Sequence, residues 1–188
     1  TLDTKYRKPC AWVGDVPLEA ALAAEAAGEE FGPLPSAEGL RDFGDWMSRA
    51  ALDAFGAQGL VVLDARLPEI RRAAAPLFRR YLADAPGVAA AVAAAGEALE
   101  REGYSALLTP EAAAACLFLT PERAREKLEP AEALARAAAL VDERPEALSP
   151  NVVLRPLVAD TVLPTIASVL GPGELSYFSQ IATIYPRL

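Results

Sequence analysis

Two arginines, Arg155 and Arg187, carry side chains suited to binding carboxylate or phosphate groups. A guanidinium group is permanently charged and presents a planar fork of N–H donors, so it can bind an anion through two parallel hydrogen bonds. Neutral hydrogen-bonding groups in the same stretch come from Asn151, Tyr177 and Gln180. These residue types predict a polar pocket for a small polyanionic substrate. The alternative is structural: Arg155 pairs with Asp160, and the nearby prolines shape a loop.

A glycine turn at residues 171–173 (GPG) precedes a helical pattern over residues 174–182. The backbone N–H groups at the start of a helix have no partner within the helix and can bind an anion. Gly171, Gly173 and Glu174 are therefore candidates for the same site. The GPG sequence is equally typical of a simple tight turn, so both interpretations stay open.

The sequence contains no histidine. This excludes Ser-His-Asp and Cys-His nucleophile systems and HExxH zinc sites. The two cysteines, Cys10 and Cys116, lie far apart without CxxC spacing, so we expect buried free thiols and no metal site. Any chemistry must use carboxylates, lysine, tyrosine, arginine, backbone amides or the substrate itself.

The net charge of −8 argues against general nucleic-acid binding, which requires clustered lysine and arginine. No apolar run reaches the length of about 18 residues that a membrane-spanning helix requires. Residues 1–8 are too polar for the apolar part of a signal peptide. We therefore expect a cytoplasmic protein that binds neither membranes nor nucleic acids.

The elements that would position these residues alternate between helix and strand patterns. Residues 59–64 (GLVVLD) form a short apolar run between a glycine and an acid, typical of a parallel strand buried on both faces. Open α/β sheets bind ligands at the carboxyl ends of their strands, so Asp64 is either a ligand contact or a cap for the next helix. Helices are expected at residues 17–28, 43–58, 68–84, 87–102 and 130–144, and shorter strands at residues 107–109 and 115–119.

The predicted helix over residues 68–84 carries arginines at positions 71, 72, 79 and 80. Four cations on one helix could bind an anion, but a solvated helix face is the favoured interpretation.

Residues 149–158 (SPNVVLRPLV) closely resemble the signature of the cysteine-adding enzymes of bacillithiol biosynthesis, the BshC family. The resemblance continues in the same order through Asp160-Thr161, Leu163-Pro164-Thr165, GPGE at 171–174, Tyr177-Phe178, Gln180 and Tyr185-Pro186-Arg187. Looser similarity extends upstream through residues 14–19, 59–64 and 76–78.

This resemblance implies an α/β fold with a Rossmann-like core and helical insertions, present here as a helix-rich fragment. We expect residues 1–58 to form a helical insertion or connecting region and residues 59–188 to form part of the Rossmann-like core. The family also implies a coiled coil, a homodimer of the full-length form and a much longer chain. The sequence is therefore expected to be a fragment or an ordered subset of a longer protein.

The resemblance also implies a ligase that adds cysteine to glucosaminyl-malate by forming an amide with the sugar amine. Amide formation from a carboxylic acid requires an activated acyl group, so a nucleotide triphosphate or carrier-bound cysteine is expected, with ATP/ADP as the candidate cofactor, although the sequence has no GxxxxGK[ST] phosphate loop. Asp160 and Glu174 are candidates for the base that accepts the amine proton, or else structural partners. The predicted substrate-binding residues are Asn151, Arg155, Asp160, Gly171, Gly173, Glu174, Tyr177, Gln180 and Arg187.

A second hypothesis is a non-catalytic fragment or paralogue that acts as a nucleotide-binding or dimerisation module. The missing parts of the longer family sequence and the absence of histidine motivate it. Calorimetry with ADP and ATP would separate the nucleotide-binding form of this hypothesis from the others.

Overall fold

The structure, a computed structural model, describes residues 36, 38–40, 42–120 and 130–188. The chain divides into two compact units. The first holds the described residues up to Asp64, and the second holds those from Ala65 onwards. The predicted helix over residues 17–28 and the thiol of Cys10 lie outside the described residues. The predicted division between residues 58 and 59 stays a prediction.

Helix α1 (Phe43–Phe55) is the main described element of the first unit and confirms the helix predicted over residues 43–58. It begins where the Asp42 carboxylate accepts a hydrogen bond from Asp45 N at 3.0 Å, which satisfies one free amide of the first turn. A 3₁₀ turn (Gly56–Gln58) continues the helix. Gly59 then ends it with a φ of +92°, a left-handed conformation that glycine adopts at little cost.

The parallel strand predicted over residues 59–64 is wrong in this structure. Residues 60–63 (LVVL) are neither helix nor strand, and all four side chains are exposed, that of Val61 by 84%. A strand buried on both faces needs hydrogen-bonded neighbours at its edges and a covering layer on each face. No described residue pairs with this run in a sheet. The apolar pattern is present without the partners that a strand requires, so Asp64 does not follow a strand here.

The core of the second unit begins with helices α2 (Pro68–Ala73), α3 (Ala75–Ala83) and α4 (Ala85–Arg101). They confirm the helices predicted over residues 68–84 and 87–102, with a break at Ala74. Each has a proline in its first turn, where the missing N–H would have had no partner within the helix. Buried side chains on α3 and α4 are Leu77, Phe78, Tyr81, Val88 and Val92.

Among the described residues, no single helix is long and apolar enough to cross a membrane. Helices α3 and α4 meet that test of length and composition only as a pair, and the pair is bent by 80°.

The four arginines of α2 and α3 differ in environment. Arg71 is only 6% exposed, and its Nη1 donates to Thr120 Oγ1 at 2.9 Å and to Glu146 O at 2.8 Å. Arg72, Arg79 and Arg80 are exposed. The predicted solvated face is therefore confirmed for these three and wrong for Arg71, which points inward and binds polar groups that the sequence places far away.

A two-stranded antiparallel sheet lies beside these helices in the second unit. Helix α5 (Pro110–Ala114) precedes β1 (Leu117–Leu119), and helix α6 (Pro130–Leu140) precedes β2 (Leu148–Pro150). Leu117 pairs with Pro150, and Leu119 pairs with Leu148. Strand β1 confirms the strand predicted over residues 115–119, and α6 confirms the helix predicted over residues 130–144. The strand predicted over residues 107–109 is wrong, because the N–H groups of Leu107 and Leu108 donate to a side chain and not to a neighbouring strand.

Helices α7 (Arg155–Val162) and α8 (Pro172–Ile181) carry most of the candidate site. Helix α7 ends at Val162 because Leu163 precedes Pro164, and a residue before proline disfavours the helical conformation. Residues 163–171 are neither helix nor strand. Helix α8 confirms the helical pattern predicted over residues 174–182, and a 3₁₀ turn (Ala182–Ile184) follows it.

Candidate substrate-binding site

Asn151 is a buried residue between β2 and α7 whose polar atoms are all occupied by its own chain. Its Nδ2 donates to Ala112 O at 2.7 Å and to Ala115 O at 3.4 Å. Its Oδ1 accepts from Val153 N at 2.9 Å and from Leu154 N at 3.4 Å. The side chain therefore joins α5 and the residue after it to the two residues directly before α7.

Gln180 is fully buried at 0% exposure and holds two distant segments together. Its Oε1 accepts from Leu107 N and Leu108 N, each at 2.9 Å. Its Nε2 donates to Leu108 O at 3.0 Å and to Val92 O at 3.4 Å. An amide side chain offers two donor hydrogens and one oxygen acceptor, so these four bonds leave nothing for a ligand.

Arg187 forms an ion pair with Asp84, which lies directly before α4. The Arg187 Nη1 is 2.6 Å from Asp84 Oδ2, and both side chains are about half exposed. A Cβ added at Gly87 would overlap the Asp84 carboxylate and lie 2.7 Å from Arg187 Nη1. Glycine at position 87 therefore makes room for the pair. The remaining guanidinium donors of Arg187 make no further hydrogen bond with described residues and are available to an anion.

Arg155 is the first residue of α7, and its side chain is exposed. Among the described residues its guanidinium makes no hydrogen bond or ion pair. The alternative in which Arg155 pairs with Asp160 is wrong, because the Asp160 carboxylate accepts a hydrogen bond from Tyr185 at 2.6 Å instead. Arg155 is thus an exposed cation of the second unit with no partner in the part of the chain that the structure describes.

The hydrogen bond between Asp160 and Tyr185 joins the end of α7 to the turn that carries Arg187. The Tyr185 hydroxyl donates to Asp160 Oδ2. Partial burial of the ring and the neighbouring Asp160 carboxylate raise the pKa of Tyr185 above its ordinary value. The phenol therefore stays protonated and keeps donating to Asp160 at physiological pH.

The first turn of α8 is closed by its own glutamate. Gly171 N donates to Glu174 Oε2 at 2.9 Å, which is the glutamate half of a capping box. Both glycines are exposed, and nothing lies within 4 Å of a Cβ built at Gly173. Tyr177 is half-buried, and its ring centroid lies 5.9 Å from that of Phe178. A negative charge therefore already occupies the helix end at which an anion was expected.

In the part of the chain that the structure describes, no group of three or more cysteine, aspartate or glutamate residues could hold a metal ion.

Comparison with known proteins identifies the family. The family model for "Bacillithiol biosynthesis BshC, N-terminal Rossmann-like domain" matches residues 34–188. The chain belongs to the BshC family. The chain is also similar to proteins named "Putative cysteine ligase BshC": it is 40% identical over 148 residues to one from Koribacter versatilis and 39% identical over 155 residues to one from Salinibacter ruber. A relative of the same name from Geobacillus kaustophilus is 36% identical over 164 residues.

These matches cover most of this chain but a small part of the relatives. They include 71%, 75% and 78% of this BshC chain, and 27%, 28% and 30% of the respective relatives. The family model describes a Rossmann-like domain, and the structure is rich in helix. Both agree with the fold class predicted from sequence.

The structure separates the nine predicted site residues of this BshC chain into three environments. Asn151 and Gln180 are buried and bonded to their own chain. Asp160 and Arg187 are tied to neighbouring elements through Tyr185 and Asp84. The exposed members are Arg155, Gly171, Gly173 and Glu174, with Tyr177 half-buried. No hydrogen bond or ion pair between described residues joins Arg155 or the first turn of α8 to Arg187.

Two residues that matter to this arrangement of the BshC chain were not predicted from sequence. Asp84 was expected only as the end of a helix, yet it orients Arg187. Gly87 was expected only as a helix start, yet it provides the space for that ion pair. A glycine in the first turn of an alanine-rich helix was the available signal, because glycine there lowers helix stability and needs a packing reason.

Proposed function

We propose that the full-length protein is a ligase that adds cysteine to glucosaminyl-malate by forming an amide with the sugar amine. Membership of the BshC family supports this reaction, since the similar relatives carry the name of a cysteine ligase. The exposed guanidinium of Arg155 has no partner among the described residues. This observation supports a role for this chain in the reaction. A cation at the start of a helix opposes the helix dipole and costs about 0.3–1 kcal/mol. Helix stability therefore does not account for Arg155, and this supports the role in binding an anionic substrate that we propose for it.

Arg155 and Arg187 are the groups that would bind substrate carboxylates. The acceptor contributes the two carboxylates of malate, and cysteine contributes one more. A forked guanidinium can bind each through paired, charge-assisted hydrogen bonds. Asp84 would hold Arg187 by one nitrogen and leave its other donors to the ligand.

The new amide bond joins the cysteine carbonyl carbon to the sugar nitrogen, and the amine loses a proton. The departing oxygen of the cysteine carboxyl must leave on an activating group, either a phosphate derivative from ATP or a carrier. The first turn of α8 does not fit a nucleotide phosphate as it stands, because the Glu174 carboxylate caps it. Asp160 and Glu174 each retain a carboxylate oxygen with no hydrogen bond to a described residue, and either could accept the amine proton.

The decisive experiment is mass spectrometry of the full-length protein incubated with glucosaminyl-malate and cysteine, with and without ATP. We expect a product heavier than the acceptor by one cysteinyl residue. Dependence on ATP would identify the activating group. Product from a cysteine thioester, but not from free cysteine with ATP, would identify carrier-bound cysteine as the donor. Folded protein that yields no product under any condition would contradict the ligase and favour the dimerisation module.

Replacement of Arg155 tests its role directly. Arg155→Ala should lower kcat/KM in the full-length enzyme by about ten-fold or more, equivalent to about 1.4 kcal/mol. The thermal unfolding temperature should stay constant or rise slightly, because the side chain has no partner among the described residues and its charge opposes the helix dipole. Arg80→Ala is the matched control, since Arg80 is an exposed helical arginine outside the candidate site. Equal kinetics for the two variants would remove Arg155 from the site.

The proposal retains the cytoplasmic location expected from the sequence and the homodimer of the full-length form that the family resemblance implies. Size measurement of the full-length protein in solution tests the dimer independently of catalysis.

A further inference from the structure

The turn after helix α8 carries two side chains that are tied to different helices. The Tyr185 hydroxyl donates to Asp160 Oδ2 on α7 at 2.6 Å, and Arg187 Nη1 donates to Asp84 Oδ2, directly before α4, at 2.6 Å. Only two peptide units separate Tyr185 from Arg187, so their Cα atoms lie at most about 7.6 Å apart. One short turn therefore connects the Asp160 carboxylate with the Arg187 guanidinium.

The backbone of this turn is anchored at Ile184. The Ile184 side chain is fully buried in the core of the second unit. Ile184 O accepts hydrogen bonds from Arg187 N at 3.0 Å and from Leu188 N at 3.2 Å. The backbone that carries Tyr185 and Arg187 is therefore held both by the core and by its own hydrogen bonds.

Asp160 and Arg187 carry opposite charges, and each keeps part of its bonding capacity. The second carboxylate oxygen of Asp160 makes no hydrogen bond to a described residue, and Arg187 keeps guanidinium donors beyond Nη1. Glu174, the other candidate carboxylate, accepts from Gly171 N at 2.9 Å and so caps its own helix. Among the described site residues, Asp160 is therefore the carboxylate that is connected to a binding arginine.

The acceptor of the proposed reaction has a charge pattern that matches this pair. It carries one amine, which is cationic when protonated, and the two carboxylates of malate. The malate carboxylates persist throughout the reaction. Free cysteine also carries an amine and a carboxylate, but activation consumes that carboxylate before the amide forms. A carboxylate and a guanidinium connected through one turn therefore complement the acceptor better than the activated donor.

We propose that Asp160 binds the amine of the acceptor, that Arg187 binds its malate carboxylates, and that Tyr185 is the positioning residue that holds Asp160 for the amine. This assignment rests on the proposed function, since that reaction defines the acceptor. The Tyr185 hydroxyl fixes one carboxylate oxygen and leaves the other for the ammonium hydrogens. An acceptor with an acetylated amine lacks the positive charge and loses the contact, so Asp160 determines specificity for the free amine.

Calorimetry with the full-length protein tests this assignment without turnover by comparing glucosaminyl-malate with its N-acetylated form. We expect the free amine to bind at least about ten-fold more tightly, because only it can make the charge-assisted contact with Asp160. Asp160→Asn should reduce this preference to about three-fold or less, because the neutral amide does not attract the ammonium group.

Two further variants separate positioning from binding. Tyr185→Phe removes only the hydroxyl and should reduce the preference by a smaller factor than Asp160→Asn. In the Asp160→Asn background it should have no further effect on the preference, because the two side chains act as one pair. Arg187→Ala should weaken both ligands by a similar factor and preserve the preference, since both ligands carry malate.

Tyr104→Phe is the matched control, since Tyr104 is an exposed tyrosine of the same unit outside the site. An unchanged preference in Asp160→Asn, or a loss of preference in Glu174→Gln alone, would overturn the proposal. A wild-type protein that does not prefer the free amine, or that binds neither ligand, would also overturn it. Product formation with an unchanged preference in the variants would reject only this assignment, whereas the expected preferences without product would reject only the reaction.

Discussion

Gln180 and Asn151 show how an amide side chain can organise a fold from within. Each uses its oxygen to accept two backbone N–H groups and its nitrogen to donate to two carbonyls. The partners of Gln180 lie up to 88 residues away along the chain. Both side chains therefore connect segments of the chain that lie far apart in sequence, and their predicted contact with substrate stays a prediction.

Gln180→Leu should strongly destabilise the second unit. The variant leaves the N–H groups of Leu107 and Leu108 without their acceptor, and each buried unsatisfied group costs about 1–3 kcal/mol. We expect a loss of about 2–4 kcal/mol in the free energy of unfolding, measured by urea titration. Ser179→Ala is the neighbouring control, because Ser179 is exposed. Equal stability of the two variants would show that Gln180 does not hold these segments.

Gly87→Ala should alter substrate binding with little change in stability. The added methyl group forces the Asp84 carboxylate to shift and so disturbs its ion pair with Arg187. Loss of an exposed ion pair costs at most about 1 kcal/mol, and alanine recovers a similar amount as the better helix former. KM for the anionic acceptor should therefore change several-fold while the unfolding temperature stays nearly constant. Unchanged kinetics would mean that Asp84 does not orient Arg187 for binding.

At the level of elements, helices α4 and α8 approach each other closely at Gly96. A Cβ at this position would lie 3.0 Å from Gln180 Nε2 and 3.2 Å from Ala106 Cβ. Gln180 cannot move aside easily, because its four hydrogen bonds fix it. The absence of a side chain at position 96 therefore permits this helix contact.

Gly96→Ala should destabilise the chain by about 1–3 kcal/mol, although alanine is the better helix former. The cost arises from the steric overlap with Gln180 and Ala106. Gly173→Ala is the matched control in α8, since nothing lies within 4 Å of its added methyl group. Urea unfolding of both variants measures the difference, and equal stabilities would contradict close packing at Gly96.

The helices were predictable from sequence because their signals are local. Prolines in the first turns, the apolar spacing and the glycine at position 59 lie within or beside the helices they define. Strands were less predictable, because a strand depends on a partner that sequence does not name. Residues 60–63 have the apolar pattern of a buried strand without a described neighbour, whereas β2 pairs with β1 despite a short and weakly patterned sequence.

The candidate site was predictable in composition but not in arrangement. Arg155 and Arg187 were predicted from their chemistry. In the structure both keep guanidinium donors that make no hydrogen bond to described residues. Asn151 and Gln180 were selected for the same polar character, yet long-range backbone partners use all their capacity. Those partners lie tens of residues away, so no local pattern could have indicated them. The three-dimensional structure is therefore needed to distinguish a polar residue that bonds to its own chain from one that can bind a ligand.

At the scale of the whole molecule, the acidic chain carries a phenol and a thiol buried in the core of its second unit. Tyr81 accepts a hydrogen bond from Cys116 N at 2.8 Å and donates to Ala114 O at 3.0 Å. The Cys116 thiol donates to Ala113 O at 3.1 Å. Burial raises the pKa of Cys116 to about 12, and it raises the pKa of Tyr81 well above its ordinary value. The folded state therefore favours the neutral form of both groups.

Stability should fall in alkaline solution. The pKa of Cys116 is higher in the folded chain than its ordinary value of 9.0, so its contribution is complete below pH 9 and is lost as the pH rises toward 12. The unfolded chain ionises first, and each pH unit in this window costs about 1.4 kcal/mol for this group. Urea unfolding between pH 7 and about pH 11 measures the slope. Cys116→Ala should make the slope shallower, and an unchanged slope would exclude Cys116 as its cause.

The long separation between Val92 and Gln180 also has a consequence for synthesis on the ribosome. Helix α4 is made 88 residues before the glutamine that binds it. At roughly 5–20 residues per second, the nascent chain waits on the order of 4–18 s before that contact can form. During this interval the inner face of α4 has no cover from α8, and it is available to chaperones that bind apolar surfaces of nascent chains.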